Sequence, residues 1–186
     1  MKEIINRNLD GKKVLLFFII TNIVYAIMLT ITIPEVMNFS NGMKILDMIP
    51  TGYDPDYVNS LLVTLGAKGR NAYLFHQIPV DMIYPFLFAI SSCLILAYFI
   101  NKLNKSDGAL FYLCFIPLFS GFSDYCENIG IISMLNNFPE SSSLLIRATS
   151  GFSVMKSVST ISYFIILTIL LIVFGVNKLF RKVDLK

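Results

Sequence analysis

Four apolar stretches dominate this chain: Val14–Ile33, Ile78–Ile100, Ala109–Leu135 and Ser153–Val176. Each is close to or above the roughly 20 residues a helix needs to cross a hydrocarbon core. Inside a bilayer no water satisfies backbone N–H and C=O groups, so spanning segments must be helices or strands of a closed barrel. Continuous apolar runs, as opposed to alternating ones, select helices. Only 15% of the 186 residues are charged, against about 25% in soluble domains, too few to coat a water-soluble core. The length suits one unit, residues 1–186, and no repeat, linker or low-complexity segment divides it. The expected fold is all-α: a four-transmembrane-helix bundle in a single integral membrane domain.

Lys12 and Lys13 precede the first stretch as they would in a signal peptide. That stretch is too long for a signal-peptide core, and "TITIPE" lacks a small-x-small cleavage site, so it reads as a retained helix. Lysine and arginine set the orientation. Lys2, Arg7, Lys12, Lys13, Lys102, Lys105, Lys178, Arg181, Lys182 and Lys186 fall on one side; Lys44, Lys68, Arg70 and Arg147 fall on the other. This bias predicts a multi-pass protein of the cell membrane with both termini cytoplasmic. Tyr98 and Tyr112 are the expected aromatic anchors on that side, there being no tryptophan.

The connection from Pro34 to Gln77 is then outside, and it is too apolar for a solvated loop. In "YDPDYVNSLLVTLGAKGR", Asp54 suits a helix N-cap, Pro55 the first turn and Gly66 the end. Tyr57, Val58, Leu61, Leu62 and Leu65 recur at helical spacing between them, which predicts a short amphipathic outer helix between spans one and two. A second helix is expected from near Lys68 into the second span, kinked at Pro79 and Pro85 because each removes a backbone hydrogen bond.

Polar residues inside the spans are not scattered. Counted at 1.5 Å per residue, Asp81, Asp124, Glu127, Lys156, Asn22 and Tyr25 all fall in the outer half. Their faces agree too. Pro117, Ser120, Gly121, Asp124, Glu127 and Asn128 form one stripe on the third helix; Thr149, Ser153, Lys156, Thr160 and Tyr163 form one on the fourth. Gln77, Asp81, Tyr84 and Phe88 share a face of the second helix, and Asn22 and Tyr25 one of the first. An ionisable side chain at the membrane centre costs about 2.5–3.5 kcal/mol on insertion scales, more than helix association alone requires. The convergence predicts an acidic intramembrane pocket with Tyr25, Gln77, Asp81, Tyr84, Asp124, Glu127, Asn128 and Lys156 as candidate ligand-binding residues. Two carboxylates as close as Asp124 and Glu127 need a proton, Lys156 or a bound cation to neutralise them. Two plainer arrangements compete: an interfacial ion pair between Asp81 and Lys156, and Asp124 with Asn128 as hydrogen-bonding glue between helices.

Other chemistries lack a seat. There is one histidine, His76, expected as an interfacial polar tip, which argues against multi-histidine metal centres. No P-loop, G-x-G-x-x-G or C-x-x-C motif occurs, and Cys93, Cys114 and Cys126 lie in apolar runs as packing residues. "ESSSLLIRATSGF" reads as a helix start after Pro139, not as a hydrolase site. Arg70 and Arg147 are expected to be solvated. No metal or cofactor is predicted. The expected partners are membrane lipids, a small apolar or cationic ligand, and a second copy or another membrane protein; nucleic acid is not expected. Four spans, internal acidic residues and an outer segment between spans one and two resemble the layout of the emopamil-binding and sigma-2 class. The resemblance implies that layout; no reaction is carried over. Three functions stay open: a binding or accessory protein, which the residues favour, a membrane enzyme with Asp124 and Glu127 as an acid/base pair on an apolar substrate, and a subunit of an oligomeric channel or sensor.

Overall fold

The computed structural model describes residue 5 and residues 7–105 and 108–183, with backbone alone over 181–183. Lys2 and Lys186, and the side chains of Arg181 and Lys182, which entered the charge count, lie outside the described residues. Among the described residues all regular structure is helical. Four helical stretches are long and apolar enough to cross a membrane: Gly11–Met37, Pro55–Lys102, Ala109–Asn136 and Ser143–Phe180. The chain is thus the expected all-α bundle.

Helix α1 (Gly11–Met37) opens with the Asp10 side chain accepting from Lys12 N–H. An irregular connection, residues 38–54, carries one 3-10 turn, Leu46–Met48. Helix α2 (Pro55–Ala72) is capped by Asp54, whose carboxylate accepts from Tyr57 N–H at 2.7 Å. At Gly66 the backbone turns to φ 59°, ψ −175° and the helix breaks, as its position in the sequence predicts. Arg70 donates to the Leu62 carbonyl at 2.7 Å, and its guanidinium covers the Phe138 ring at 4.2 Å, so this arginine is engaged and not solvated as expected. Val58, Leu61, Leu62 and Leu65 are all buried, packing with Ile33, Val36, Ile45 and Leu46. Helix α2 and the 38–54 connection together cover one end of the bundle, here termed the connector end.

Every span containing an internal proline departs from α-geometry just before it. A π turn, Met28–Thr32, precedes Pro34; another, Tyr73–Gln77, precedes Pro79 and the short α3 (Ile78–Asp81). A turn at Met82 and Ile83 precedes Pro85 at the start of α4 (Tyr84–Lys102). The 3-10 stretch Ala109–Phe115 precedes Pro117 in α5 (Ile116–Asn136). The cause is common: proline offers no N–H and its ring collides with the carbonyl four residues back, so the preceding turn widens or tightens. Helix α6 (Ser143–Val183) runs without a proline and without a break.

Helix α4 packs on α1, α5 and α6, and α5 packs on α6; among the described residues α1 and α6 share no extended contact. At Gly121 a Cβ would stand 2.8 Å from the Pro85 carbonyl oxygen, which shows how closely α5 approaches the α3–α4 break. The interior divides into layers. One apolar cluster at the connector end includes Met28, Ile45, Leu61, Tyr73, Ile131 and Ile146; a second, towards the chain termini, includes Val14, Leu96, Ile100, Phe111, Cys114 and Leu170. The polar stripes lie between them. Large apolar side chains face outward from α1 and α6, among them Leu15, Ile23, Ile31, Ile165 and Ile172, each more than half exposed.

Candidate functional site

The stripe on α5 turns inward as read: Pro117, Ser120, Gly121, Asp124, Glu127 and Asn128 are all buried. Facing it on α6, Thr149 and Ser153 are buried, and Thr160 bonds Ser120 hydroxyl to hydroxyl at 2.8 Å. Lys156 joins the two helices. Its ammonium lies 3.1 Å from Asp124 Oδ1 and 2.5 Å from Glu127 Oε2. Glu127, with no exposed surface, also accepts a hydrogen bond at Oε1 from the Ser153 hydroxyl. A buried charge is tolerated only when paired and hydrogen-bonded, and this cluster meets that condition with one lysine serving two carboxylates. The interfacial Asp81–Lys156 pair does not form among the described residues, because Lys156 is committed to α5.

A cavity of about 410 Å³ opens beside this cluster. Tyr25, Met28, Leu29 and Ile33 line it from α1, and Asp47, Met48 and Pro50 from the connection. Asp81, Tyr84 and Phe88 contribute from α3 and α4, Ser120 and Asp124 from α5, and Lys156, Ser157, Thr160 and Ile161 from α6. Tyr25 stacks on Tyr84 with ring centroids 5.3 Å apart, and Tyr84 meets Phe88 at 5.8 Å, making one aromatic wall. Asp81 is only 3% exposed, and its Oδ2 has no hydrogen-bond partner among the described residues.

Five of the eight candidate residues therefore line the cavity: Tyr25, Asp81, Tyr84, Asp124 and Lys156. The other three stand behind it. Glu127 sits under Lys156. Asn128 donates from Nδ2 to the Asp81 carbonyl at 3.0 Å. That carbonyl lies four residues before Pro85 and so loses its helical donor; Asn128 replaces it, and Tyr125 donates to the next carbonyl, Met82 O, at 2.9 Å. Gln77, fully buried, accepts from Thr32 Oγ1, tying one π turn to the other. Nearby, the exposed His76 of the second π turn contacts Glu35, in the helical turn that follows the first, at 2.6 Å. Asn22 does not face inward. It is exposed and donates to the Phe18 carbonyl of its own helix, while Thr21, Met28 and Thr32 form the buried side of α1. One residue step turns a helix by about 100°, which separates Thr21 from Asn22.

Asp47 was missed. It comes from the connection, in "KILDMIP", where one carboxylate sits in an apolar run ended by proline; that isolation was the available signal. Tyr73 donates to Asp47 Oδ2 at 2.9 Å, while Oδ1 is buried without a partner among the described residues. Burial pushes the Asp47 carboxyl from 3.8 up to about 7; the Glu127 carboxylate adds to the rise, and Lys156 and the Tyr73 hydrogen bond oppose it. The Asp47 residue keeps some exposed surface, but its Oδ1 atom has essentially none. Tyr53, next along the connection, is pushed up chiefly by burial and then by the Glu127 and Asp47 carboxylates.

Chemically, the arrangement is an amphipathic chamber with acidic residues, a lysine already engaged by two carboxylates, and apolar and aromatic sides. Among the described residues no three His, Cys, Asp or Glu side chains converge in a way suited to a metal ion. Comparisons with protein-family models, curated proteins and solved structures found no match to this chain.

Proposed function

We propose that this is a multi-pass protein of the cell membrane that binds a lipid-like or cationic small ligand in the chamber, with the connector end outside and both termini in the cytoplasm. One observation carries the proposal. Asp47, Asp81 and Asp124 line the chamber and Glu127 lies behind it, yet Lys156, the only lysine or arginine among the described residues that line it, is taken up by Asp124 and Glu127. An excess of carboxylates in a low-dielectric site attracts positive charge or protons. Apolar walls of Met28, Leu29, Ile33, Phe88 and Ile161 suit a hydrocarbon portion of the same ligand. Lack of extended α1–α6 contact supports access from the bilayer side.

An acid/base enzyme is the second reading. It is favoured by Asp124, which lines the chamber beside Lys156, and weakened by Glu127, which does not line it and is held by Ser153 and Lys156. A proton-transfer group must come within hydrogen-bond reach of its substrate.

The binding reading is tested by purifying the protein from native lipid and identifying co-purified molecules by mass spectrometry. Wild type should retain an amphiphile that Asp81→Asn and Asp124→Asn lose while keeping a cooperative thermal transition in detergent. Equal recovery from wild type and both variants would remove the proposal. For the enzyme reading, a turnover abolished by Asp124→Asn with ligand retention unchanged would be required.

A further inference from the structure

Two acceptor atoms set the chemistry of what this chamber can hold. Asp81 Oδ2 and Asp47 Oδ1 are both buried, both belong to residues that line the cavity, and neither has a hydrogen-bond donor among the described residues. They come from different elements, α3 and the connection. Asp81 is 3% exposed, so its carboxylate is not a solvated surface group. Lys156 supplies neither: among the described residues the carboxylates within 4 Å of its ammonium are those of Asp124 and Glu127. A buried acceptor without a donor is costly, so a bound molecule gains affinity by supplying one. Positive charge alone is therefore insufficient; the charge must bring N–H donors.

The aromatic wall supports the same conclusion. An open cage of ring faces would favour a quaternary ammonium, which carries charge without donors. Here the rings use one another. Tyr25 and Tyr84 stack at an interplanar angle of 25°, Tyr84 tilts against Phe88, and Phe88 meets Tyr163 edge-on at 5.6 Å. Each of these rings is packed on another ring, so they form a wall and not an open cage.

The rim supplies the other half of the ligand. Tyr25, Leu29 and Ile161 line the cavity and are also 42%, 44% and 58% exposed on the outer surface of the bundle. Tyr25 and Leu29 belong to α1 and Ile161 to α6, the two helices without extended mutual contact. An alkyl chain attached to the bound head can leave between them into the surrounding hydrocarbon.

Building on the binding reading above, we infer that the chamber selects a long-chain primary ammonium amphiphile, its N–H groups meeting Asp81 Oδ2 and Asp47 Oδ1 and its chain passing between α1 and α6. Tertiary amines, with one N–H, bind less well, and quaternary ammonium amphiphiles least.

The test uses the full chain in phosphatidylcholine nanodiscs at pH 7, titrated calorimetrically with dodecylamine, N,N-dimethyldodecylamine, dodecyltrimethylammonium and ethanolamine. Dodecylamine should bind at least about tenfold more tightly than dodecyltrimethylammonium, the size expected for leaving a buried acceptor unpaired, with the tertiary amine between. Asp81→Asn and, separately, Asp47→Asn should shrink that ratio to about threefold or less; either variant suffices if the other fails to fold. Equal affinity for primary and quaternary heads would overturn the donor requirement while the binding reading stands. Ethanolamine binding as tightly as dodecylamine would overturn the lipid source. Binding of none of the four would sink both the inference and the reading beneath it.

Discussion

Lys156 is the residue on which the polar interior depends. Its ammonium lies within 4 Å of two carboxylates that are nearly or fully buried, and removing one partner of a buried ion cluster leaves uncompensated charge. Lys156→Met should lower stability by about 3–5 kcal/mol, read as a drop in the detergent melting temperature. Adding Asp124→Asn and Glu127→Gln to Lys156→Met should recover part of that loss; a neutral single variant would mean the carboxylates carry no charge to compensate. Asp47 acts differently, because folding raises its carboxyl from 3.8 to about 7. The native state then holds a proton that the unfolded chain has released, so this group's contribution to stability falls as pH rises from about 4 towards 7. Melting temperature should decline from pH 5 to pH 8, and Asp47→Asn should flatten part of that decline. An unchanged slope would show that Asp47 titrates normally. The connection that carries Asp47 reads as an outer segment; that Asp47 lines the chamber is not legible in the sequence, since a loop's path depends on contacts made far along the chain.

At the scale of elements, prolines explain both the irregular turns and one apparent site residue. Asn128 shares the α5 stripe with Asp124 and Glu127, and from sequence it has the same claim to a ligand. In the fold its amide replaces the hydrogen bond that Pro85 removes from the Asp81 carbonyl. Asn128→Ala should cost about 1–3 kcal/mol, the penalty for an unsatisfied buried acceptor. The same substitution made in a Pro85→Ala background should cost measurably less, because residue 85 then offers its own N–H. A double-mutant cycle on thermal or denaturant unfolding measures that coupling, and strict additivity would refute the assignment. Gly121 belongs to the same junction. An added Cβ would meet the Pro85 carbonyl oxygen at 2.8 Å and the Ala89 Cβ at 2.9 Å, so Gly121→Ala should destabilise by about 1–3 kcal/mol through overpacking.

The whole molecule is two apolar cores with a polar layer between them, covered at the connector end by α2 and the 38–54 connection. Reporter fusions at both termini and in the 38–54 connection test the proposed orientation. Cytoplasmic signals are expected from both ends and an external one from the connection, and the reverse pattern would place the chamber in the inner leaflet. Much of this was visible beforehand. The four spans, the break at Gly66, the inward stripes on α5 and α6 and the kinks near Pro79 and Pro85 are properties of adjacent residues: hydropathy, missing N–H groups and helical period all act locally. Packing decided the rest. Asn22 shares its helix with Tyr25 but points away, because the rotation of α1 follows from the close fit of Thr21 and Met28 inside. Gln77, Glu127 and Asn128 lie on the stripes read from sequence yet support neighbours without lining the cavity. Asp47 joined the acidic set from outside the spans. A helix's apolar length is written in consecutive residues, whereas which polar atom receives a donor, and which is left for a ligand, depends on elements dozens of residues apart meeting in space.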